Sequence, residues 1–321
     1  MTAKPKIALY WAAGCGGCEI AVLDIGERVL DLIKAAEIVF WPAAMDTKYA
    51  DLEQMPDQSI EVCLFNGAIR TSENEHMARL LRAKSKVLVA FGSCATEGCI
   101  PALANLTTAE AIFERAYQET PTTDNPEGIR PQTRVTTQDG QELTLPTFYD
   151  SVWSLPQVVR VDYFVPGCAP IGEQVWSAVA ALLSGSPPPA GSVLGAGQKT
   201  VCDECDHKRQ EKRIKRFYRP HEIETDATVC LLEQGLVCMG PATRAGCEAA
   251  CLRVNMPCRG CYGAPPGVVD QGAHMISALG SVIDSQDPRE IEEIIGQIED
   301  PAGTFYRFGM AASLLFRARV R

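Results

Sequence analysis

The stretch "KIALYWAAGCGGCEIAVLD", Lys6 to Asp24, decides the fold. Lys6 to Ala12 is a continuous apolar run of strand length. A glycine-rich turn follows, carrying Cys15 and Cys18 with two glycines between them. From Glu19 to Ala36 the apolar residues Ile20, Leu23, Leu30 and Ile33 recur at helical spacing. Strand, turn and helix in this order open a βαβ unit. The same alternation continues. Glu37 to Trp41, Glu61 to Ala68, Lys86 to Cys94 and Val161 to Cys168 read as strands. Helices are predicted from Ser72, with Ser72 as N-cap and Glu75 closing a capping box, from Thr107 to Glu119 and from Gly172 to Leu183. Continuous apolar strands alternating with helices predict an α/β domain built on a doubly wound parallel sheet.

Outside this pattern, Thr120 to Pro146 is rich in Thr, Pro, Asp and Gly and reads as a surface insertion, with a hairpin around Asp139-Gly140. "SGSPPPAGS", Ser184 to Ser192, is a stiff linker. It sets the expected domains at 1–190 and 191–321. The second is smaller and irregular, with helices expected only at Gly272 to Ile283, Asp287 to Gln297 and Thr304 to Arg319.

The chain has 321 residues, of which 46% are hydrophobic, and no apolar run reaches membrane-spanning length. No signal peptide opens it, so a cytoplasmic location is expected. A net charge of −10 argues against broad nucleic-acid binding. Fourteen cysteines are too many to be incidental. A disulfide framework suits small secreted domains, so metal ligation is the better account here.

Their placement sharpens this. Cys15 follows the first strand, and Cys94 and Cys168 end later ones. The carboxyl ends of parallel strands share one edge, where ligands bind. Cys15, Cys18, Cys94 and Cys168 should therefore converge, with Gly14, Gly16, Gly17, Gly92 and Gly167 leaving room for a bulky group. The remaining eight, between Cys202 and Cys261, divide into two sets of four: Cys202, Cys205, Cys230 and Cys238, then Cys247, Cys251, Cys258 and Cys261. Cys63 lies mid-strand as a small apolar residue, and Cys99 is read as structural. Zinc is the bland alternative, since the second half alone resembles two four-cysteine sites. The first-half site, with one local knuckle and two distant ligands, speaks for iron–sulfur. A thioredoxin-like dithiol at Cys15 and Cys18 leaves Cys94 and Cys168 unexplained.

The segments "GCGGCEI", "GSCATEGCIPAL", "VPGCAP" and "VCMGPATRAGC…PCRGCYG" resemble the small subunit of nickel–iron hydrogenases, over nearly the whole chain. The nearest resemblance is to the F420-non-reducing, methyl viologen-reducing subgroup. It implies a flavodoxin-like first domain holding a proximal 4Fe–4S cluster on Cys15, Cys18, Cys94 and Cys168. It also implies a medial cluster on Cys247, Cys251, Cys258 and Cys261, and a distal one on Cys202, Cys205, Cys230 and Cys238. Cys202 stands where other members have a histidine, and Cys251 supplies a medial ligand where some have proline. Cys99 stands where glycine is expected, either neutral there or near the proximal cluster. The implied role is to relay electrons from hydrogen oxidised at a nickel–iron large subunit to an iron–sulfur or flavin acceptor such as heterodisulfide reductase, through three 4Fe–4S clusters. A complex I-like wiring subunit is the alternative, and the two glycines between Cys15 and Cys18 count against it.

Glu19, beside Cys18, has two readings: proton transfer near the subunit interface, or a carboxylate held at a helix N-terminus. "HKRQEKRIKR", His207 to Arg216, is a basic run close to Cys205, able to attract an acidic acceptor or to offset cluster charge. "GSVLGAGQKT", Gly191 to Thr200, fails the phosphate-loop pattern at Gln198 and is read as linker.

Overall fold

The computed structural model describes residues 4–210 and 213–319. In chain order the strands are β1 (Lys6–Trp11), β2 (Glu37–Phe40), β3 (Ile60–Asn66), β4 (Ile69–Thr71), β5 (Ser85–Phe91), β6 (Arg134–Thr136), β7 (Glu142–Thr144), β8 (Phe148–Trp153) and β9 (Tyr163–Val165). The helices of the first half are α1 (Gly17–Leu23), α2 (Arg28–Ala35), α3 (Tyr49–Gln54), α4 (Ser72–Lys84), α5 (Ser93–Glu97), α6 (Ala109–Glu114) and α7 (Gly172–Leu183). Those of the second are α8 (Ala250–Arg253), α9 (Gln271–Gly280), α10 (Pro288–Gly296), α11 (Pro301–Phe305) and α12 (Leu314–Arg319).

The main sheet runs β2-β1-β3-β5-β9, parallel throughout. Both faces are covered. Ile7, Leu9, Val62, Leu64 and Val89 meet Ala21, Val22, Leu32, Val175 and Val179 of α1, α2 and α7. The alternate residues Ala8, Tyr10, Cys63, Phe65 and Leu88 meet Leu52 of α3 and Met77, Ala78 and Leu81 of α4. Period-two alternation between two apolar faces is why these strands read as unbroken apolar runs. Each fully buried large side chain contributes about 1.5–3 kcal/mol.

Several local expectations change. The helix expected over 19–36 is broken, because Gly26 takes φ +65° between α1 and α2. Ile20, Leu23, Leu30 and Ile33 are exposed, and the packed positions are Ala21, Val22, Ile25 and Leu32. The helical period was legible, but its face was not, since a break between the two helices resets the phase. Thr71, not Ser72, caps α4, with Asn74 completing the box in place of Glu75. The Thr107–Glu119 helix divides into α6 and a wider-wound turn over Arg115–Glu119. Cys94 lies in α5, past the end of β5, and Cys168 lies three residues beyond β9. The hairpin is present as β6 and β7, paired through Val135 and Leu143. The stretch read as linker adds to the sheet edge, where Val193 bridges Phe164.

In the second half, the helix expected over 304–319 is instead α11, a short 3-10 turn and α12. A separate core gathers Ile214, Phe217, Leu231, Leu236, Met239, Met275 and Leu279, and continues onto Ala68, Ala102 and Val152. Tyr262 donates to Gln174 Oε1 at 2.6 Å, Gln157 to the Ala311 carbonyl at 2.8 Å, and Cys99 N–H to the Phe308 carbonyl at 3.1 Å. The second half therefore closes over the carboxyl edge of the sheet. Among the described residues no helix is long and apolar enough to cross a membrane.

Candidate metal centres

At the carboxyl edge, β1 delivers Cys15 and Cys18, β5 delivers Cys94 and β9 delivers Cys168. β3 lies between β1 and β5 and would obstruct the gap with any sizeable side chain. It ends instead in Gly67 and Ala68, and Ala68 bridges Ala13 just ahead of Cys15. Gly67 sits at φ +88°, and a Cβ there would lie 2.7 Å from the Ala12 backbone. Gly92 is the tightest point. At φ +82° its missing Cβ would stand 2.3 Å from Cys18 Sγ. Gly17 N–H points at Cys15 Sγ, 3.4 Å away. Burial, and then the nearby Cys94, Cys168 and Cys15 sulfurs, push the Cys18 thiol far above its ordinary range. Such a thiol becomes a ligand only against compensating positive charge, which iron supplies.

Cys99 is also there. The Cys168 and Cys94 side chains push its thiol up, while it draws the Cys168 thiol down. The sequence reading left this position open, as structural or near the proximal cluster. Its signal in the sequence was a cysteine in place of a glycine.

Glu19 is 6% exposed. Trp41 Nε1 donates to one carboxylate oxygen and Asn66 Nδ2 to the other. Asn66 also donates to the Tyr10 carbonyl at 3.0 Å, tying α1 to the ends of β1 and β3.

The second-half cysteines lie near one another, with Cys238 beside both Cys258 and Cys202. Cys202 is pushed up to about 11 by burial, with Cys230 and Cys205 adding to the rise. A Cβ on Gly240 would lie 3.1 Å from Cys202 Sγ and 3.6 Å from Cys238 Sγ. Cys258 and Cys261 are each pushed up to about 12, first by burial, with Cys247 contributing to both and Cys251 to Cys261. The sulfurs also collect donors. The amides of Ala250 and Ala249 temper the rise of the Cys247 thiol, and Gly260 N–H does the same at Cys258. Amides near sulfur are what an anionic iron–sulfur centre needs. Among the described residues no three cysteine, histidine or carboxylate side chains close on a single metal-ion point. The cysteines stand in wider groups.

These neighbourhoods touch in sequence. The Cys168 backbone amide tempers the rise of the Cys261 thiol. Cys258 N–H lies 3.3 Å from Cys238 Sγ. Ser93 Oγ donates to the Cys261 carbonyl and accepts from Gly167 N–H at 3.1 Å. Ser93 and Glu97, flanking Cys94, went unremarked in the sequence. Glu97 presses on Gly263, where a Cβ would be 2.4 Å from Oε1. Burial raises its carboxyl to about 7, against the Ala264 amide and Arg244. The basic run near Cys205 is described except at positions 211 and 212, which lie outside the described residues. Arg209 of that run donates to the Cys202 carbonyl.

Residues 15–182 match the family described as NADH ubiquinone oxidoreductase, 20 Kd subunit. Over nearly its full length the chain is 41% identical to the iron-sulfur subunit of the F420-non-reducing hydrogenase of Archaeoglobus profundus, across 97% of each chain. It is 36% identical to a subunit of the F420-non-reducing hydrogenase of Methanothermobacter thermautotrophicus, across 98% of this chain and 97% of that one. A [NiFeSe]-hydrogenase structure from Dm. baculatum aligns with TM-score 0.51 at 17% identity, covering 81% of this chain and 95% of that one, which speaks to the fold. The match to the 20 Kd family stops at residue 182, whereas the hydrogenase matches continue through the second cysteine-rich half. The chain thus belongs to the iron–sulfur subunits of F420-non-reducing hydrogenases, the small, electron-transfer subunit of a nickel–iron hydrogenase whose hydrogen-splitting site is on a partner chain.

Proposed function

We propose that the chain carries three 4Fe–4S clusters in series, with Cys15, Cys18, Cys94 and Cys168 holding the proximal one. Cys247, Cys251, Cys258 and Cys261 hold the medial one, and Cys202, Cys205, Cys230 and Cys238 the distal one. On this reading 1–190 form the flavodoxin-like domain and 191–321 the smaller iron–sulfur domain. Such clusters supply one-electron carriage over a range from about −700 to +450 mV, tuned by the protein around them. The observation that carries the proposal is the continuity of the hydrogen bonds. Ser93, beside Cys94, donates to the Cys261 carbonyl, and Cys258 N–H lies 3.3 Å from Cys238 Sγ, which supports an order proximal, medial, distal.

The chain's own groups set direction and contact. Exposed Trp11, Ile20 and Ile100 lie beside the proximal cysteines and suit docking of the large subunit. All-cysteine ligation at the distal site, without a neutral histidine, adds negative charge and favours a low exit potential. The exposed Lys208 and Arg209 flank that site and suit an acidic acceptor, a small iron–sulfur subunit leading on to heterodisulfide reductase. The location is taken as cytoplasmic.

Metal analysis of the anaerobically purified complex tests this. About twelve irons per small subunit, no zinc, nickel in the partner and hydrogen-dependent dye reduction are expected. Three zincs without iron would remove the proposal. Replacing Cys94, Cys230 or Cys258 by alanine should each abolish a different cluster signal. Loss of the same signal from two of these variants would overturn the division.

A further inference from the structure

A groove of about 230 Å³ opens in the second half, and Arg259 and Arg307 both line it. Among the described residues neither makes an ion pair, whereas the cations around them do. Arg219 pairs with Glu299 at 2.6 Å, Arg253 with Glu248 at 2.9 Å, and Arg213 and Lys215 with Asp284 at 3.7 Å each. Arg307 Nε donates to the Gly303 carbonyl at 3.0 Å, which fixes the side chain and leaves its terminal nitrogens to donate elsewhere. The acids of the groove are already engaged, Glu299 by Arg219 and Asp300 by Gly303 N–H at 2.9 Å. Two unpaired guanidiniums sharing one groove, in a chain of net charge −10, repel each other until an anion sits between them.

The surroundings say what kind of anion. Cys258 and Met239 form part of the wall, and Cys258 N–H lies 3.3 Å from Cys238 Sγ, so the groove reaches the joint between the medial and distal sets. Next to Pro257 of the lining, Met256 is 44% exposed, and Val254 is 70% exposed. A free anion has no use for apolar surface, whereas a protein face does, and arginine with methionine is a common interface pairing. We propose that this groove is a docking site for an acidic protein, the acceptor of this chain's electrons, whose carboxylate side chains insert between Arg259 and Arg307 while Met256 and Val254 pack against its face. The identity of the partner as acceptor rests on the relay proposed above. The groove adds to that relay a contact beside Cys258, apart from Lys208 and Arg209. Forked guanidinium donors match carboxylates in pairs, which gives the contact its orientation. The groove supplies binding only, and no bond forms or breaks in it.

Isothermal titration of the anaerobically purified complex with a ferredoxin of net negative charge is the test, with iron content read in parallel. Wild-type binding should weaken as salt rises. Arg259→Gln and Arg307→Gln should each weaken it by about tenfold at fixed salt, with all iron retained. If Arg259→Gln loses iron through its neighbour Cys258, Arg307→Gln, which adjoins no cysteine in sequence, decides. No binding by the wild-type complex, or equal affinity in wild type and Arg307→Gln, overturns the docking site. Inorganic phosphate that binds wild type and not Arg307→Gln, with ferredoxin binding unchanged, would make the groove a free-anion site and also overturn it. Ferredoxin binding that depends on both arginines, in a wild-type complex without hydrogen-dependent dye reduction, would uphold the docking site and overturn the relay instead.

Discussion

Ser93 Oγ donates to the main-chain carbonyl of Cys261, joining the first turn after β5 to the loop that carries the medial cysteines. The same oxygen accepts from Gly167 N–H, while Ser93 N–H donates to the Gly167 carbonyl at 2.8 Å. One hydroxyl, on a residue 3% exposed, thus registers Cys94, Cys168 and Cys261 against one another. Ser93→Ala leaves a buried carbonyl and a buried amide unpaired. It should lower stability by about 1–3 kcal/mol in anaerobic denaturant titration. Iron content should stay at the wild-type level, since no ligand is removed. A shift below about 0.5 kcal/mol would mean the hydroxyl is not the joint described.

Gly92→Ala tests the proximal cradle from the other direction. The new methyl would fall 2.3 Å from Cys18 Sγ, on a backbone at φ +82°. Neither the α5 backbone nor the sulfur can yield without displacing a ligand, so the variant should lose the proximal cluster, about four irons per chain. Gly280→Ala is the control. Nothing lies within 4 Å of its Cβ, and iron content should not change. Full iron in Gly92→Ala would place Cys18 outside the ligand set.

Glu19 separates two roles. Both carboxylate oxygens take internal donors, Trp41 Nε1 and Asn66 Nδ2, as an anchor would. Glu19→Gln offers one oxygen and one amide, so one donor loses its acceptor. A stability loss of about 1–3 kcal/mol with hydrogen-dependent dye reduction within about twofold of wild type is expected. If the anchor is unimportant and Glu19 passes protons, stability will hold while activity falls more than about tenfold.

The convergence of the sheet's cysteines was legible because parallel strands place their ends on one edge, whatever the loops between them do. Cys15, Cys18, Cys94 and Cys168 needed only that rule. The packed face of α1 and α2 was not legible. Ile20 and Leu23 suit a core by composition, but they are exposed. Ser93 and Glu97 were hidden for another reason. Each acts through a contact with a residue distant in sequence, and local periodicity carries no information about contacts at that separation.

Glu97 gives a prediction in pH. Burial raises its carboxyl to about 7, more than the Ala264 amide and Arg244 lower it, and Asp270 adds to the rise. Asp270 accepts from Ala273 N–H and Leu314 N–H at 2.8 Å each. Between the ordinary value of 4.5 and about 7 the folded chain therefore holds a proton that the unfolded chain has lost. The folded state binds more protons in that window, so this group's contribution to stability falls as pH rises through it and levels off above about 7. Glu97→Gln keeps an acceptor for the Ala264 amide and has no proton to lose. Denaturant titrations of the anaerobic complex at about pH 5, 6, 7 and 8 should show the variant gaining on wild type as pH rises, by roughly 2–3 kcal/mol between the two ends. Parallel profiles across that range would show that Glu97 ionises alike in the folded and unfolded chain, and that Arg244 offsets its burial in full.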